Sequence, residues 1–259
     1  IRNKAFGLNY EDRNKRPQYS LSSLVRLCSS EQMRSDSLNM IRLLENWKRN
    51  QTEEKPLFYV INVSCGGNRS ATFTVNMLYR IDSFMNGQLM KKTALFSGAS
   101  GGMLGLTYYR ELYRQQQKGY KLDVSKKSIT ANISKDLLNP VFSAYLTRDL
   151  LTPAQRFAVG PYRFVKDRGY AFEQQLNHNT GDILNDRLLD YRNDELNATI
   201  PLGIFNSTVS QDGRKMMICS QPISFLMRPR SDSSKGITAE PDAIDYTTFF
   251  KDLNPYNIR

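Results

Sequence analysis

The feature that most constrains this fold is a repeated order of short apolar run, glycine-rich turn and helical pattern. The first copy reads LFYVINVS (57–64), then CGGN, then a helical spacing that closes at Met85-Asn86-Gly87. The second reads TALFSGAS (93–100), then GG, then a periodic stretch that ends at Gly119. Two consecutive strand–turn–helix units predict a parallel sheet with helices on both faces. Continuous apolar runs are typical of strands that such a sheet buries.

The flanking segments extend this α/β pattern. Apolar residues at spacings of three and four predict two helices between Ser20 and Gln51, broken near Ser29. A further periodic stretch predicts one helix over 170–191, and Asp212-Gly213 between two apolar runs predicts a two-stranded ribbon across 200–220. The rest of 120–200 is predicted as helices and loops, with breaks at prolines, and a short helix is predicted at the end of the chain. The prolines are Pro140, Pro153 and Pro161.

Composition indicates a folded protein with a basic surface. The 259 residues include 36 Lys or Arg and 25 Asp or Glu, which gives a net charge of +11. No apolar run reaches the ~18 residues of a spanning helix. One histidine and three widely spaced cysteines exclude an ordinary zinc site and argue against a disulfide framework. We expect a linker and helical extension over 1–55, a three-layer α/β/α domain over 56–259, and no metal or other cofactor.

The sharpest candidate for chemistry is Gly98-Ala99-Ser100-Gly101-Gly102, a G-x-S-x-G sequence where a strand becomes a helix. A serine on such a turn has a strained backbone and leaves no space for neighbouring β-carbons. The following helix directs free N–H groups and its positive end at the place where an oxyanion would form. The same sequence is also typical of a turn that packs a helix closely on a sheet, or of a phosphate-binding loop.

A second glycine turn, Cys65-Gly66-Gly67-Asn68-Arg69-Ser70, follows the first strand and opens the first helix. Ligands of open α/β sheets bind at the carboxyl edge of the strands. Turns at the ends of two neighbouring parallel strands can face each other, one with a nucleophile and the other with an oxyanion hole. Alone, this turn is equally compatible with a mononucleotide loop or a structural turn, although it lacks the Lys-Ser/Thr ending of a P-loop.

The order of these motifs resembles the patatin-like phospholipases and their cytosolic phospholipase relatives. That family carries a glycine-rich oxyanion loop followed by a G-x-S-x-G nucleophile turn, and the resemblance extends over roughly residues 57 to 259. It implies a patatin-like fold and a lipid or phospholipid ester as the substrate. Further similar stretches are DRGYAFE (167–173), FNST (205–208) and DGR (212–214).

Carried over residue by residue, the resemblance makes Ser100 the nucleophile. The backbone amides of Gly66, Gly67 and Asn68 become the oxyanion hole, with positive charge from Arg69. Gly98, Gly101 and Gly102 form the nucleophile turn. Two positions depart from the family pattern: Cys65 and Ser70 stand where the family has glycines.

The family uses a Ser-Asp dyad without histidine, which agrees with a chain that has one histidine. The dyad aspartate normally precedes glycine late in the domain, and the Asp-Gly pair here is Asp212-Gly213. Its polar neighbours are typical of an exposed hairpin tip and not of a buried base, so Asp212 is a weak candidate. We expect the aspartate beyond Arg259, in a C-terminal continuation of the same protein, so that this chain carries half of an active site.

Other candidates have structural alternatives. His178, surrounded by polar residues, fits a solvated helix position better than a member of a Ser-His-Asp triad. Glu173 and Asp167, near Arg168, are compatible with a carboxylate pair, but a role at a helix start is the simpler interpretation.

The basic charge has several possible partners. An anionic membrane surface is favoured because the implied substrate lies there, and nucleic acid is disfavoured because no nucleic-acid motif accompanies the charge. We expect an intracellular protein, peripheral to a membrane or attached to membrane segments outside this chain. The alternative to a lipid hydrolase is a catalytically inactive scaffold or membrane-recruitment domain of the same fold.

Overall fold

The computed structural model describes residues 4–151, 155–229 and 239–259. Within them the strands are β1 Tyr59–Val63, β2 Thr93–Gly98, β3 Arg156–Val159, β4 Tyr162–Val165, β5 Leu202–Thr208, β6 Lys215–Cys219 and β7 Ala243–Asp245. The helices are α1 Leu21–Leu27, α2 Ser30–Arg49, α3 Gly67–Phe84, α4 Leu89–Lys92, α5 Ser100–Gln117, α6 Lys126–Ser134, α7 Leu138–Ala144, α8 Arg168–Asn179, α9 Leu188–Leu196 and α10 Tyr246–Phe249. A π-helical segment, Tyr145–Leu151, directly continues α7.

A five-stranded sheet in the order β1–β2–β5–β6–β7 forms the centre of the fold. β1, β2 and β5 run parallel, with Val63 opposite Gly98 and Gly98 opposite Phe205. β6 is antiparallel to β5, as the predicted ribbon requires, and parallel to β7. The expectation of a mainly parallel sheet is confirmed, and it places both glycine turns at one edge.

Helices cover both faces of this sheet. On one face α3, α5 and α6 pack around a core that includes Phe96 and Leu106. On the other face α1 and α2 contribute Leu24 and Leu43, which pack with Ile204 of β5. Successive strand residues point to opposite faces, so each strand supplies both cores. The three-layer α/β/α expectation is confirmed, and α1 and α2 form part of its second helical layer.

Two sequence expectations about 120–200 are wrong. The single helix over 170–191 is two helices, α8 and α9, because the chain turns at Gly181 and Asp182, whose φ angles are +80° and +60°. The apolar spacing continues across this turn, which is why periodicity alone joined the two helices. The hairpin of β3 and β4 also lies where helices and loops were predicted.

The other differences concern exposure and prolines. β1 is the outermost strand of the described sheet, and its outward Val60 is half exposed, so the prediction of a fully buried strand is wrong. Pro140 lies in the first turn of α7 and does not break it, because a helix tolerates proline there. Pro161 lies in the turn between β3 and β4, and Pro153 lies outside the described residues.

The helix that starts at Ser100 is fixed by buried charges at its far end. Arg110 of α5 pairs with Glu195 of α9, and both side chains are buried. Arg114 pairs with Asp194, with 2.7 Å between Nε and Oδ2. The ring of Tyr191 lies 4.6 Å from the Arg110 guanidinium and 4.5 Å from that of Arg114. Cation–π contacts and paired charges therefore hold α5 against α9.

Candidate active site

Ser100 lies at the sharp turn between β2 and α5. β2 ends at Gly98, Ala99 is extended, and Ser100 begins the helix with a φ of +58°. A left-handed backbone costs a non-glycine residue about 1–2 kcal/mol, so the surrounding structure must impose this conformation. The Ser100 side chain is exposed, and within the described residues no hydrogen bond occupies its Oγ. The hydroxyl is therefore accessible to a ligand.

The glycines after Ser100 allow α5 to approach the first glycine turn at backbone contact. A β-carbon on Gly102 would lie 2.6 Å from the carbonyl oxygen of Ser64, and one on Gly101 would overlap the carbonyl of Gly67. Neither position has space for a side chain. Close packing of α5 on α3 thus accounts for these two glycines.

Direct backbone contacts join the two turns. The N–H of Gly102 donates to the carbonyl of Cys65 at 3.1 Å, and the N–H of Ala99 donates to that of Val63 at 3.2 Å. The position of a β-carbon on Gly66 lies 3.5 Å from Ser100 Oγ. The turns face each other at the carboxyl edge of β1 and β2, as the strand order led us to expect.

Two helix N-termini converge on this place. Gly67 is the first residue of α3, as Ser100 is of α5. The first N–H groups of a helix have no intrahelical acceptor, and they carry the positive end of the helix dipole. The arrangement favours a negatively charged oxygen beside Ser100 Oγ, which is what an acyl-transfer intermediate develops.

The side chain of Asn68 is hydrogen-bonded away from this point, whereas that of Arg69 is exposed. Asn68 Nδ2 donates to the carbonyl of Lys135 at 3.0 Å, while its buried Oδ1 has no hydrogen-bond partner in the described residues. Arg69 is exposed and lines a shallow surface depression with Phe73 and other residues. What Asn68 can offer an oxyanion directly is therefore its backbone.

Asp212 is engaged elsewhere. It lies in the turn between β5 and β6, where Tyr19 donates to its Oδ2 at 2.6 Å and Arg214 forms an ion pair with it. The hydrogen bond from Tyr19, with the charge of Arg214, lowers the pKa of Asp212. No hydrogen bond joins Asp212 to Ser100 among the described residues, and no carboxylate there accepts one from that serine.

The remaining titratable candidates occupy α8. His178 is exposed, and Asp167 caps the helix by accepting from the N–H of Tyr170 at 3.1 Å. Burial raises the pKa of Glu173, whose Oε1 lies 3.9 Å from Arg259 Nη1. No cluster of His, Cys, Asp or Glu in the described part of the chain has the form of a metal site.

A cavity of about 400 Å³ lies beside α5, and no sequence pattern predicted it. Met103, Leu104 and Thr107 line it from α5, at the helical spacings that share a face with Ser100. Phe205, whose backbone pairs with Gly98, lines it from β5. Half of the other lining residues are apolar: Phe172, Leu176, Leu184, Leu188, Ile218 and Ile258. The rest are Tyr191 and the polar Arg110, Glu173, Asn177, Asp186 and Arg259. The lining comes from α5, α8, the segment 184–191, β5, β6 and the last two residues, so no local pattern in the sequence marks the cavity.

Comparisons with known proteins give structural neighbours only. No family model matches the chain, and no curated protein matches it. The chain is similar to human GIVD cytosolic phospholipase A2 solved with methyl gamma-linolenyl fluorophosphonate, with a TM-score of 0.41 and 13% identity over 71% of this chain. It is also similar to that protein solved with the inhibitor and terbium chloride, with a TM-score of 0.42 and 12% identity over 85% of this chain. The chain spans 27% and 34% of those two solved chains.

Proposed function

We propose that this chain carries the nucleophile and the oxyanion hole of a patatin-like lipid acyl hydrolase. One observation carries the proposal: Ser100 is exposed and backbone-strained at the start of α5, opposite the turn that starts α3. Ser100 Oγ would attack the ester carbonyl and lose its proton to a base, which returns that proton to the alcohol that leaves as the ester C–O bond breaks and the acyl-enzyme forms. The backbone amides of Gly66, Gly67 and Asn68 would stabilise the oxyanion, and water would then hydrolyse the acyl-enzyme.

The cavity beside α5 supports the proposal that the substrate carries an acyl chain, because this cavity would bind such a chain. It begins at Met103 and Leu104, one helical turn from Ser100, and reaches Thr107, which lies about 10 Å from Ser100 along the helix axis. Its volume and mostly apolar lining are those of a small-ligand pocket. An ester carbonyl at Ser100 would place the adjoining hydrocarbon chain in this cavity.

The base in this proposal is an aspartate other than Asp212. A proton acceptor for Ser100 must lie within hydrogen-bond reach of its Oγ, directly or through one water. Asp212 is already bound by Tyr19 and Arg214, and its lowered pKa makes it a weaker base. We assign the role to a carboxylate of the complete protein that lies outside the described residues.

The experiment is labelling of the complete protein with a fluorophosphonate probe, combined with hydrolysis of a phospholipid ester. We expect Ser100→Ala to abolish labelling and to lower hydrolysis roughly a thousandfold or more, because the covalent step is lost. Asp212→Asn serves as the matched control, and we expect it to keep both activities.

Three outcomes would contradict parts of this proposal. Normal labelling of Ser100→Ala would exclude Ser100 as the nucleophile. A loss of activity in Asp212→Asn equal to that in Ser100→Ala would make Asp212 the base. A wild-type protein that is folded but neither labelled nor active would be the inactive scaffold.

A further inference from the structure

We propose that the outer side of α7 and its π-helical continuation, residues 138–151, inserts into the surface of an anionic membrane. We call Leu138, Phe142, Leu146 and Leu150 the α7 stripe. The inference rests on the proposed lipid substrate and names the part of the chain that meets the lipid. In the described residues no helix is long and apolar enough to cross a membrane, so the α7 stripe would lie in the interface.

The first observation is the exposure of four large apolar side chains along one line. Leu138 is 77% exposed, Phe142 63%, Leu146 41% and Leu150 57%. They recur every four residues, slightly more than one α-helical turn. A π-helical turn holds more residues than an α-helical one, so the change at Tyr145 keeps Leu150 on the side of the first three. Contiguous exposed apolar surface of this kind is typical of an interaction site.

The second observation is that the opposite side of this segment is anchored. Ala144 is buried, α7 packs against α8, and the buried Asp149 lies 3.6 Å from Arg168 of α8 in an ion pair. These contacts fix the orientation of the segment. The α7 stripe is thus held facing outward.

The third observation is the position of the α7 stripe beside the proposed oxyanion hole. Asn68, in the first glycine turn, donates from Nδ2 to the carbonyl of Lys135, three residues before Leu138. Asn179 of α8 donates from Nδ2 to the carbonyl of Asp136, which fixes the same connection from the other side. A membrane that meets the α7 stripe would therefore meet the chain beside the turn that faces Ser100.

The charge of this region identifies the partner. Residues 118–168 contain ten Lys or Arg and four Asp or Glu, so they carry about half of the excess positive charge of the chain. Arg156 and Arg163, on the hairpin that follows, are exposed. The α7 stripe thus lies in a basic stretch of the sequence, and apolar together with basic side chains are the combination that binds anionic lipid surfaces, where each basic residue contributes by attraction to the headgroups. A second copy of this chain, equally basic, would be repelled.

The experiment measures binding of the complete protein to vesicles of phosphatidylcholine with and without phosphatidylglycerol. The test variant is Leu138→Ser/Phe142→Ser/Leu150→Ser. The matched control is Phe84→Ser, since Phe84 at the end of α3 is 78% exposed and lies outside the α7 stripe. Circular dichroism and the urea midpoint confirm that each variant is folded; if the triple variant is not, Leu138→Ser alone replaces it.

We expect wild-type binding to require phosphatidylglycerol and to weaken as salt is added. We expect the triple variant to bind on the order of a hundredfold more weakly, and Phe84→Ser to bind as the wild type does. Vesicle binding needs no catalysis, so this result is independent of the labelling of Ser100.

Two results would overturn the inference. One is equal vesicle binding by the wild type and the triple variant, or an equal loss in Phe84→Ser. The other is a wild type that sediments as a dimer and a triple variant that sediments as a monomer, with equal vesicle binding by both. The α7 stripe would then be a contact between protein chains.

Discussion

The two glycine turns at the edge of the sheet have similar sequences but different surroundings. In the turn at Ser100, Gly101 and Gly102 are buried, and their α-carbons face backbone atoms of the other turn. In the turn at Cys65, Gly66 and Gly67 are exposed, and a β-carbon on Gly67 would meet nothing within 4 Å. The turn at Ser100 is thus determined by packing, and the turn at Cys65 by backbone conformation.

This difference indicates a division of roles. A tightly packed turn can hold a serine at a φ of +58° because its neighbours leave no alternative. An open turn leaves its N–H groups accessible to a ligand, as an oxyanion hole requires. The three substitutions below test the division, and in each case the free energy of unfolding is measured by urea denaturation.

Gly102→Ala should have the largest effect. The new β-carbon would lie 2.6 Å from the carbonyl oxygen of Ser64, so α5 must move away from the turn that follows β1. We expect unfolding to become easier by about 3 kcal/mol or more, as for severe overpacking. Glycine to alanine inside a helix ordinarily stabilises by about 0.5–1 kcal/mol, so a stabilised variant would show that the packing account is wrong.

Gly67→Ala should have an intermediate effect on stability and a specific effect on labelling. Gly67 has a φ of +73°, which costs alanine about 1–2 kcal/mol. Gly119→Ala is the matched control, because Gly119 also has a positive φ, +86°, and equally open surroundings. We expect similar destabilisation in both, and a fall of about tenfold in fluorophosphonate labelling in Gly67→Ala alone. Equal labelling rates would argue against an oxyanion role for this turn.

Cys65→Gly should have the smallest effect, in the opposite direction. Cys65 is exposed and has a φ of +80°, a conformation that glycine adopts without strain. The relief is partly offset by the greater freedom of glycine in the unfolded chain, so we expect stabilisation of about 0.5 kcal/mol. We also expect Cys65→Gly to keep fluorophosphonate labelling, because the turn acts through its backbone amides and not through the Cys65 side chain. A clear loss of stability would mean that the contact of Cys65 Sγ with Ser64 Oγ, at 3.9 Å, outweighs the backbone strain.

Local signals were reliable where one segment determines its own conformation. The helices that became α1, α2, α3 and α5 and the ribbon of β5 and β6 were predicted from spacing, glycines and one Asp-Gly pair. Local signals failed where the conformation of a segment depends on contacts with distant parts of the chain. Periodicity continued through Gly181, although Asn177 Oδ1 accepts from the N–H of Leu184 at 2.9 Å and closes a turn there. The exposure of Val60 depends on which strand lies at the edge of the sheet, which β1 itself does not encode.

The same limit applies to the candidate site. The G-x-S-x-G motif indicated Ser100 because the strain and the glycines are local features of the chain. Asp212 is bound by Tyr19, which lies nearly two hundred residues earlier in the chain, and by nearby Arg214. The cavity beside α5 is built from residues of six segments, and the exposure of the α7 stripe depends on how α7 rests on α8.

The sequence by itself determined the two strand–turn–helix units, the parallel pairing they require and the serine at the second turn. These follow from backbone preferences and hydrogen-bonding geometry over short distances. Tertiary structure alone decided that Gly101 and Gly102 pack against the first turn, that buried charges fix α5 against α9, and that the α7 stripe faces outward. Burial and close packing are properties of contacts between distant segments, so they exist only once the chain has folded.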